Sequence, residues 1–187
     1  MVFLRYITSL CCVVVVASTT SQAEAKKALL VPFQALSTIT VIDVLDGDTV
    51  KIKEWDNSLR LASIDAPESK KSKRRPGQPF ADVATIELKK MVAAGKTSAQ
   101  CFDFDRYSRP LCALYVQFDG QSISINRQLV VKGLAWANTQ DKRFLRDKAM
   151  LPLQASAKND SRGLWGAPNP IAPWQWRRQC WEKQICQ

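Results

Sequence analysis

The sequence predicts an α+β fold: three short strands joined by tight turns, a helix, then two longer strands about a polar turn. Three observations carry this. Residues 38–64 run as β-branched and apolar segments broken by Asp-Gly and Asp-Asn-Ser turns. Residues 79–94 repeat apolar side chains near every 3.6 positions. Residues 97–118 hold two strand-like runs flanking Asp105-Arg106-Tyr107-Ser108.

In order, Thr38 to Val44 is the first strand, and Asp46-Gly47 turns the chain. Asp48 to Lys53 alternates polar with apolar, as a half-buried strand does. Asp56-Asn57-Ser58 is a second turn, and Leu59 to Ile64 the third strand. Ala66-Pro67 opens a loop containing Lys70-Lys71-Ser72-Lys73-Arg74-Arg75, a run that taken alone reads as solvated and mobile. Pro79 suits a first helical turn and Gly95 a stop, with Phe80, Val83, Ala84 and Leu88 between them. Thr97 to Phe104 and Leu111 to Phe118 are the fourth and fifth strands. Asp119-Gly120 is a hairpin turn. Ile125 to Lys132 reads as a short helix ended by Gly133, and a last helix occupies part of Lys148 to Asp160. Pro152 requires that helix to start near it or bend there. Residues 168–187, rich in Pro and Trp, read as an irregular tail. Five strands with a helix between the third and fourth, and about three helices in all, match the order of an OB-fold barrel, a scaffold common in nucleic-acid binding.

Arg5, the apolar run Ile7 to Ala17 and the Ala23-Glu24-Ala25 pattern have the layout of a secretory signal peptide. The run falls well short of the ~20 residues that span a bilayer as a helix. The chain then divides into a signal peptide (1–25), a leader (26–36), one domain (37–167) and the tail (168–187), with a secreted or periplasmic location and no membrane association after cleavage. Removing residues 1–25 takes away one Arg and one Glu, so the net charge stays at +10. Such a surplus draws polyanions, nucleic acid foremost, with anionic polysaccharide and lipid surfaces also possible.

The chain has no histidine. That excludes Ser-His-Asp triads, Cys-His pairs and His-ligated metal nucleases. Proton transfer falls to carboxylates, Lys, Tyr or Cys. Four cysteines follow the signal peptide, and in an exported chain they read as disulfides. Of the three possible pairings, chain proximity favours Cys101–Cys112 and Cys180–Cys186.

Asp46-Gly47-Asp48-Thr49 stands at a strand-to-strand turn, and Asp65-Ala66-Pro67-Glu68 ends the third strand. If those strands are neighbours, Asp48 and Asp65 meet at one end of the sheet. Hard divalent cations take oxygen ligands of this kind. Arg60 and Arg109 supply guanidinium forks able to hold phosphate oxygens.

These segments resemble successive motifs of the staphylococcal nuclease family: Asp46 to Val50, Leu59-Arg60-Leu61, Ile64 to Glu68, Gln78-Pro79-Phe80, Asp105 to Arg109, Asn126 with Leu129-Val130, Gly133-Leu134-Ala135 and Gly163-Leu164-Trp165. The resemblance runs in order from Ile39 to Trp165. It implies an OB-fold barrel with packed helices and a Ca²⁺-dependent endonuclease that cuts DNA and RNA to leave 3′-phosphate ends. By the same resemblance Asp48, Asp65 and the backbone carbonyl of Ala66 bind Ca²⁺, with Asp46 behind them. Glu68 would orient or deprotonate the attacking water. Arg60 and Arg109 would clamp the scissile phosphate, and Tyr107 would touch a neighbouring one. Two departures stand out. Ala66 replaces the family's usual Thr, which leaves a carbonyl ligand in place. The aromatic pair expected soon after Gly133-Leu134-Ala135 is absent, with only Trp136 and Phe144 nearby.

Together these readings give a monomeric secreted nuclease preferring single strands, with Arg106 and the run Lys70, Lys71, Lys73, Arg74 and Arg75 gripping the backbone. The alternatives are a non-catalytic OB-fold module binding nucleic acid or another polyanion, and an accessory role in exopolysaccharide or surface biology. Retention of Asp48, Asp65, Glu68, Arg60 and Arg109 together separates the enzyme from the binding module.

Overall fold

Strands form where every second side chain is apolar and can enter a shared core. In the computed structural model, which describes residues 35–186, β1 is Ser37–Thr38, β2 Val41–Asp46, β3 Thr49–Ile52, β4 Trp55–Leu61 and β5 Ile64–Asp65. Helix α1, Ala81–Ala93, follows, then β6 Lys96–Phe104, β7 Pro110–Phe118, β8 Gln121–Ser124, α2 Ile125–Val131, β9 Trp136–Ala137 and α3 Met150–Asn159. A 3₁₀ turn (Gly163–Gly166), α4 (Pro173–Trp176) and a π-helical turn (Arg177–Glu182) complete the described residues. The signal peptide and all but the last two residues of the leader lie outside them. No described helix is long and apolar enough to cross a membrane.

The main sheet runs in the order β1-β6-β7-β4-β3-β2, with β8 paired to the other edge of β7. Its pairings are antiparallel except β4 with β7, which is parallel. The sheet curls into a mixed half-barrel, and with the four helices it makes an α+β, OB-like fold. Val50, Ile52, Leu59, Leu61, Leu114 and Val116 are buried in its core. Ala84 and Leu88 of α1, Leu129 and Val130 of α2, and Met150 and Ala157 of α3 are buried with them. β5 pairs instead with β9 in a two-stranded ribbon, Asp65 opposite Trp136.

Three local expectations change. The turn before β4 is Lys53-Glu54, and Asp56-Asn57-Ser58 lies within the strand. Trp55 packs on Phe104 with ring centroids 6.1 Å apart, and the Asn57 amide donates to the carbonyls of Tyr107 and Ser108 at 3.1 and 3.2 Å. Tertiary partners thus hold three turn-prone residues extended. The third strand is also broken at Ala62-Ser63. Ser63 adopts φ 67°, and its hydroxyl accepts from the amides of Arg146 (3.0 Å) and Asp147 (2.9 Å). Finally, the tail is not irregular. Pro173 opens α4 at its first position, and the chain winds on through the π-helical turn.

Cys101 and Cys112 are directly opposed in the β6–β7 ladder and bonded to each other; Cys180 and Cys186 are bonded across the last turn. Asn126, fully buried at the start of α2, accepts from the Leu114 amide at 2.9 Å and donates to the carbonyls of Ala62 (2.9 Å) and Cys112 (3.1 Å). One side chain therefore satisfies backbone groups of β7 and of the β4–β5 corner. Asn126→Leu keeps the volume and strands the Leu114 amide and the Ala62 carbonyl, each a penalty of about 1–3 kcal/mol, while the Cys112 carbonyl keeps the Ala62 amide at 2.8 Å. The expected loss is at least ~2 kcal/mol in urea unfolding, and a loss below ~1 kcal/mol would refute this role.

Candidate active site

The site is built where the β2–β3 turn meets the end of β5. Gly47 makes that meeting possible: a Cβ there would lie 2.7 Å from the Ala84 Cβ and 2.8 Å from that of Ala66. The turn thus seats against α1 and brings Asp48 under the residues that follow β5. Asp48 Oδ2 accepts the Ala66 amide at 2.6 Å, and Oδ1 accepts the Thr49 hydroxyl at 3.2 Å. Asp48 is 2% exposed and Asp65 0%.

Arg60 reconciles two carboxylates at such depth. It stands on β4 between Thr49 of β3 and Leu111 of β7. One nitrogen of its fork donates to Asp48 Oδ1 and the other to Asp65 Oδ1. Asp46 lies behind: its Oδ1 accepts the Asp48 amide at 3.3 Å, and its Oδ2 faces Lys71 Nζ at 3.4 Å. Burial first, then the charges of Asp46 and Asp65, raise the Asp48 carboxyl well above the usual range, against the pull of Arg60. Burial also acts to raise Asp46, but Arg60, hydrogen bonds from Asp48 and Thr49, and Lys71 leave it below its ordinary value. The Arg60 guanidinium, held by three carboxylates against its own burial, stays charged.

Glu68 stands three residues beyond Asp65. Its amide donates to Gln78 Oε1 at 3.2 Å, and its carbonyl accepts the Gln78 amide at 2.7 Å. The buried Gln78 side chain also donates to the Ile171 carbonyl at 2.5 Å, tying this loop to the tail. The Glu68 carboxylate is paired with Arg177, whose fork also donates to Asp65 (Nη2–Oδ2 2.9 Å; Nη1–Oδ1 3.3 Å). Burial raises the Glu68 carboxyl above its ordinary value, and Arg177 partly offsets that.

Asp48, Asp65, Glu68 and Arg60 therefore come together, with Asp46 adjoining. Arg109 does not join them. It precedes β7 near Arg60, but its guanidinium is taken up by Asp105 (Nε–Oδ2 2.7 Å). Asp105 shapes this turn, accepting the amides of Tyr107 and Arg109 at 2.9 Å each. Tyr107 is exposed, with the Arg106 and Arg109 guanidiniums 4.8 and 5.5 Å from its ring centre. Lys70, Lys71, Lys73, Arg74 and Arg75 are exposed, yet their loop is not loose. Ser72 and Arg75 pair across it, and the tail braces it from Trp181, whose indole donates to the Pro76 carbonyl at 2.9 Å.

Sequence reasoning missed Arg177, in a segment that carried no motif. The Cys180–Cys186 spacing and four tryptophans between residues 165 and 181 were the available signals that the tail folds back.

The residues present suit a hard divalent cation. Two buried carboxylates converge with a third behind them, and burial first, then the charges of Asp46 and Asp65, raise the Asp48 carboxyl despite Arg60. Among the described residues no group of three or more acidic or cysteine side chains forms a ready metal cluster. Any ion would thus rely on two carboxylates and backbone oxygen.

The family model described as staphylococcal nuclease homologue matches residues 58–167. An Escherichia coli protein named uncharacterized endonuclease is 34% identical over 141 residues, covering 74% of this chain and 84% of its own. Another of that name from Haemophilus influenzae is 33% identical over 163 residues, with 81% and 83% covered. A probable staphylococcal-like nuclease of Oryza sativa subsp. japonica is 33% identical over 133 residues, 71% of this chain but 35% of the plant protein. With its motifs on an OB-like half-barrel and more than half its length matched, the chain belongs to the staphylococcal nuclease family.

Proposed function

We propose that the chain is a secreted, Ca²⁺-dependent endonuclease that hydrolyses phosphodiester bonds of DNA and RNA and leaves 3′-phosphate ends. The observation that supports it most is the Arg60 fork joining Asp48 to Asp65 with Glu68 alongside. A binding module has no use for three acids gathered against the charge of its own ligand. Similarity to proteins named endonucleases agrees with this.

Asp48, Asp65 and the Ala66 carbonyl would hold Ca²⁺, with Asp46 fixing the Asp48 amide behind them. Bound there, the ion would polarise a phosphoryl oxygen and neutralise charge in the transition state. Glu68 accepts the proton of the attacking water; burial raises its basicity, as a base working near neutral pH requires. Arg60 and Arg109 grip the phosphate by exchanging carboxylate partners for its oxygens, and Tyr107 meets the neighbouring phosphate. Lys70, Lys71, Lys73, Arg74, Arg75 and Arg106 hold the flanking backbone. The domain works as a monomer on unpaired strands, which a narrow OB-type face seats more readily than duplex.

With Ca²⁺ the protein is expected to cut single-stranded DNA and RNA faster than duplex DNA, and chelator to abolish cutting. Cleavage that persists unchanged in chelator removes the metal role of Asp48 and Asp65.

Glu68→Gln is expected to leave oligonucleotide binding near normal and lower the single-turnover rate by about 10²–10⁴-fold. Full rate at saturating substrate would mean that Glu68 is not the base.

Lys70, Lys73 and Arg74 are exposed and make no ion pair among the described residues, so they can be changed together to Ser without disturbing Asp46 or Trp181. That variant should raise KM, hold kcat, and flatten the log–log salt slope by up to about 2. A merely solvated loop predicts no kinetic change.

A further inference from the structure

The residues matched to the family model end at 167, yet the tail beyond them reaches the site. Arg177 is the first residue of the π-helical turn. Its guanidinium spans Asp65 and Glu68, and among the described residues it is the one side chain that donates to the Glu68 carboxylate. This placement is built. Trp176 is buried beneath the turn, and the Trp181 indole donates to the Pro76 carbonyl at 2.9 Å. The Gln184 amide donates to the Arg74 carbonyl at 3.0 Å, and Gln78 holds both Glu68 and the Ile171 carbonyl. The bond between Cys180 and Cys186 closes the end of the segment on itself. Arg178, the next residue, is exposed and makes no ion pair among the described residues.

We propose that Arg177 is a positioning residue of the phosphodiesterase site: it fixes the Glu68 carboxylate beside Asp65, making the C-terminal tail a working part of the catalytic domain. This rests on the nuclease reading above. Glu68 has two free torsions before its carboxylate plane, and a base swung aside loses the line to its water; a fork bonded to Asp65 as well locks that direction. A phosphate ligand placed on the tail would act on binding. A residue that acts through Glu68 acts on rate.

The test compares wild type, Arg177→Ala, Arg177→Lys and Arg178→Ala with Ca²⁺ on a fluorescent single-stranded oligonucleotide, measuring kcat, KM and melting temperature. Anisotropy in a Glu68→Gln background gives substrate affinity apart from turnover. Arg177→Ala should lower kcat by about 10–100-fold, as loss of a partner that orients a site ligand does. KM and the anisotropy Kd should stay within about twofold. Arg177→Lys should recover part of the rate, and Arg178→Ala should match wild type. Adding Trp181→Ala to Arg177→Ala should lower kcat by no more than about a further twofold, since the brace acts through Arg177.

Unchanged kcat in Arg177→Ala overturns the proposal. So does a raised kcat, which would make the tail a shield over the acids, and so does a loss confined to KM and Kd. Should Arg177→Ala melt below the assay temperature, Arg177→Lys decides, with wild-type kcat and KM sinking the idea. A wild type inactive with Ca²⁺ sinks the nuclease reading and this inference together; an active wild type equalled by Arg177→Ala sinks this inference alone.

Discussion

Asp48 and Asp65 come from separate turns of the chain and are withdrawn from water almost completely. Two carboxylates in that position repel each other, and each has lost its hydration; an unpaired buried ion costs several kcal/mol. The Arg60 fork resolves both difficulties, because one planar group with two donating edges meets both acids from β4. Removing such a partner leaves uncompensated buried charge, typically a loss of about 3–5 kcal/mol. β3 beside β4, the break at Ser63 and the β5–β9 ribbon all serve to bring the three side chains to one point.

Backbone placement carries the rest. Gly47 lets the β2–β3 turn press on Ala84 and Ala66, so a helix and two loops share one contact. From there the Ala66 amide reaches Asp48, and Glu68 follows two residues later. Gln78, just before α1, is bonded to residue 68 at both amide and carbonyl. Asp48 and the backbone of Glu68 are therefore positioned by main-chain geometry, and the Glu68 carboxylate is held by Arg177.

That construction explains what the sequence disclosed. Asp-Gly-Asp at a turn, Asp-Ala-Pro-Glu at a strand end and Arg60 within β4 are local signals, whereas the adjacency of their turns was only conditional until the β3–β4 pairing and the Ala66–Asp48 bond supplied it. The strand order and α1 were legible from local signals too. Asp56-Asn57-Ser58 was misread because its turn preference yields to Trp55 on Phe104 and to Asn57 reaching the Tyr107–Ser108 backbone, contacts about fifty residues away. Arg109 was grouped with the site by motif, whereas its own turn holds it on Asp105 through a pairing only four residues apart. Arg177 was invisible because its partners lie more than a hundred positions earlier. No periodicity reports such a contact.

Charge in the site shows why a second guanidinium is useful. Asp48, Asp65 and Glu68 carry three negative charges against the positive charges of Arg60 and Arg177, while Asp46 is set against Lys71. One negative charge remains, enough to draw a cation and too little to bar the polyanion that the +10 surface attracts. A divalent ion of the proposed kind turns that remainder into one positive charge, the sign a phosphodiester needs. Without Arg177 the same ion brings the group only to neutrality, and Asp65 and Glu68 face each other with no guanidinium between them. A guanidinium on the tail thus offsets the charges of Asp65 and Glu68, and on the proposed reading its bonds to both would set the direction of the base.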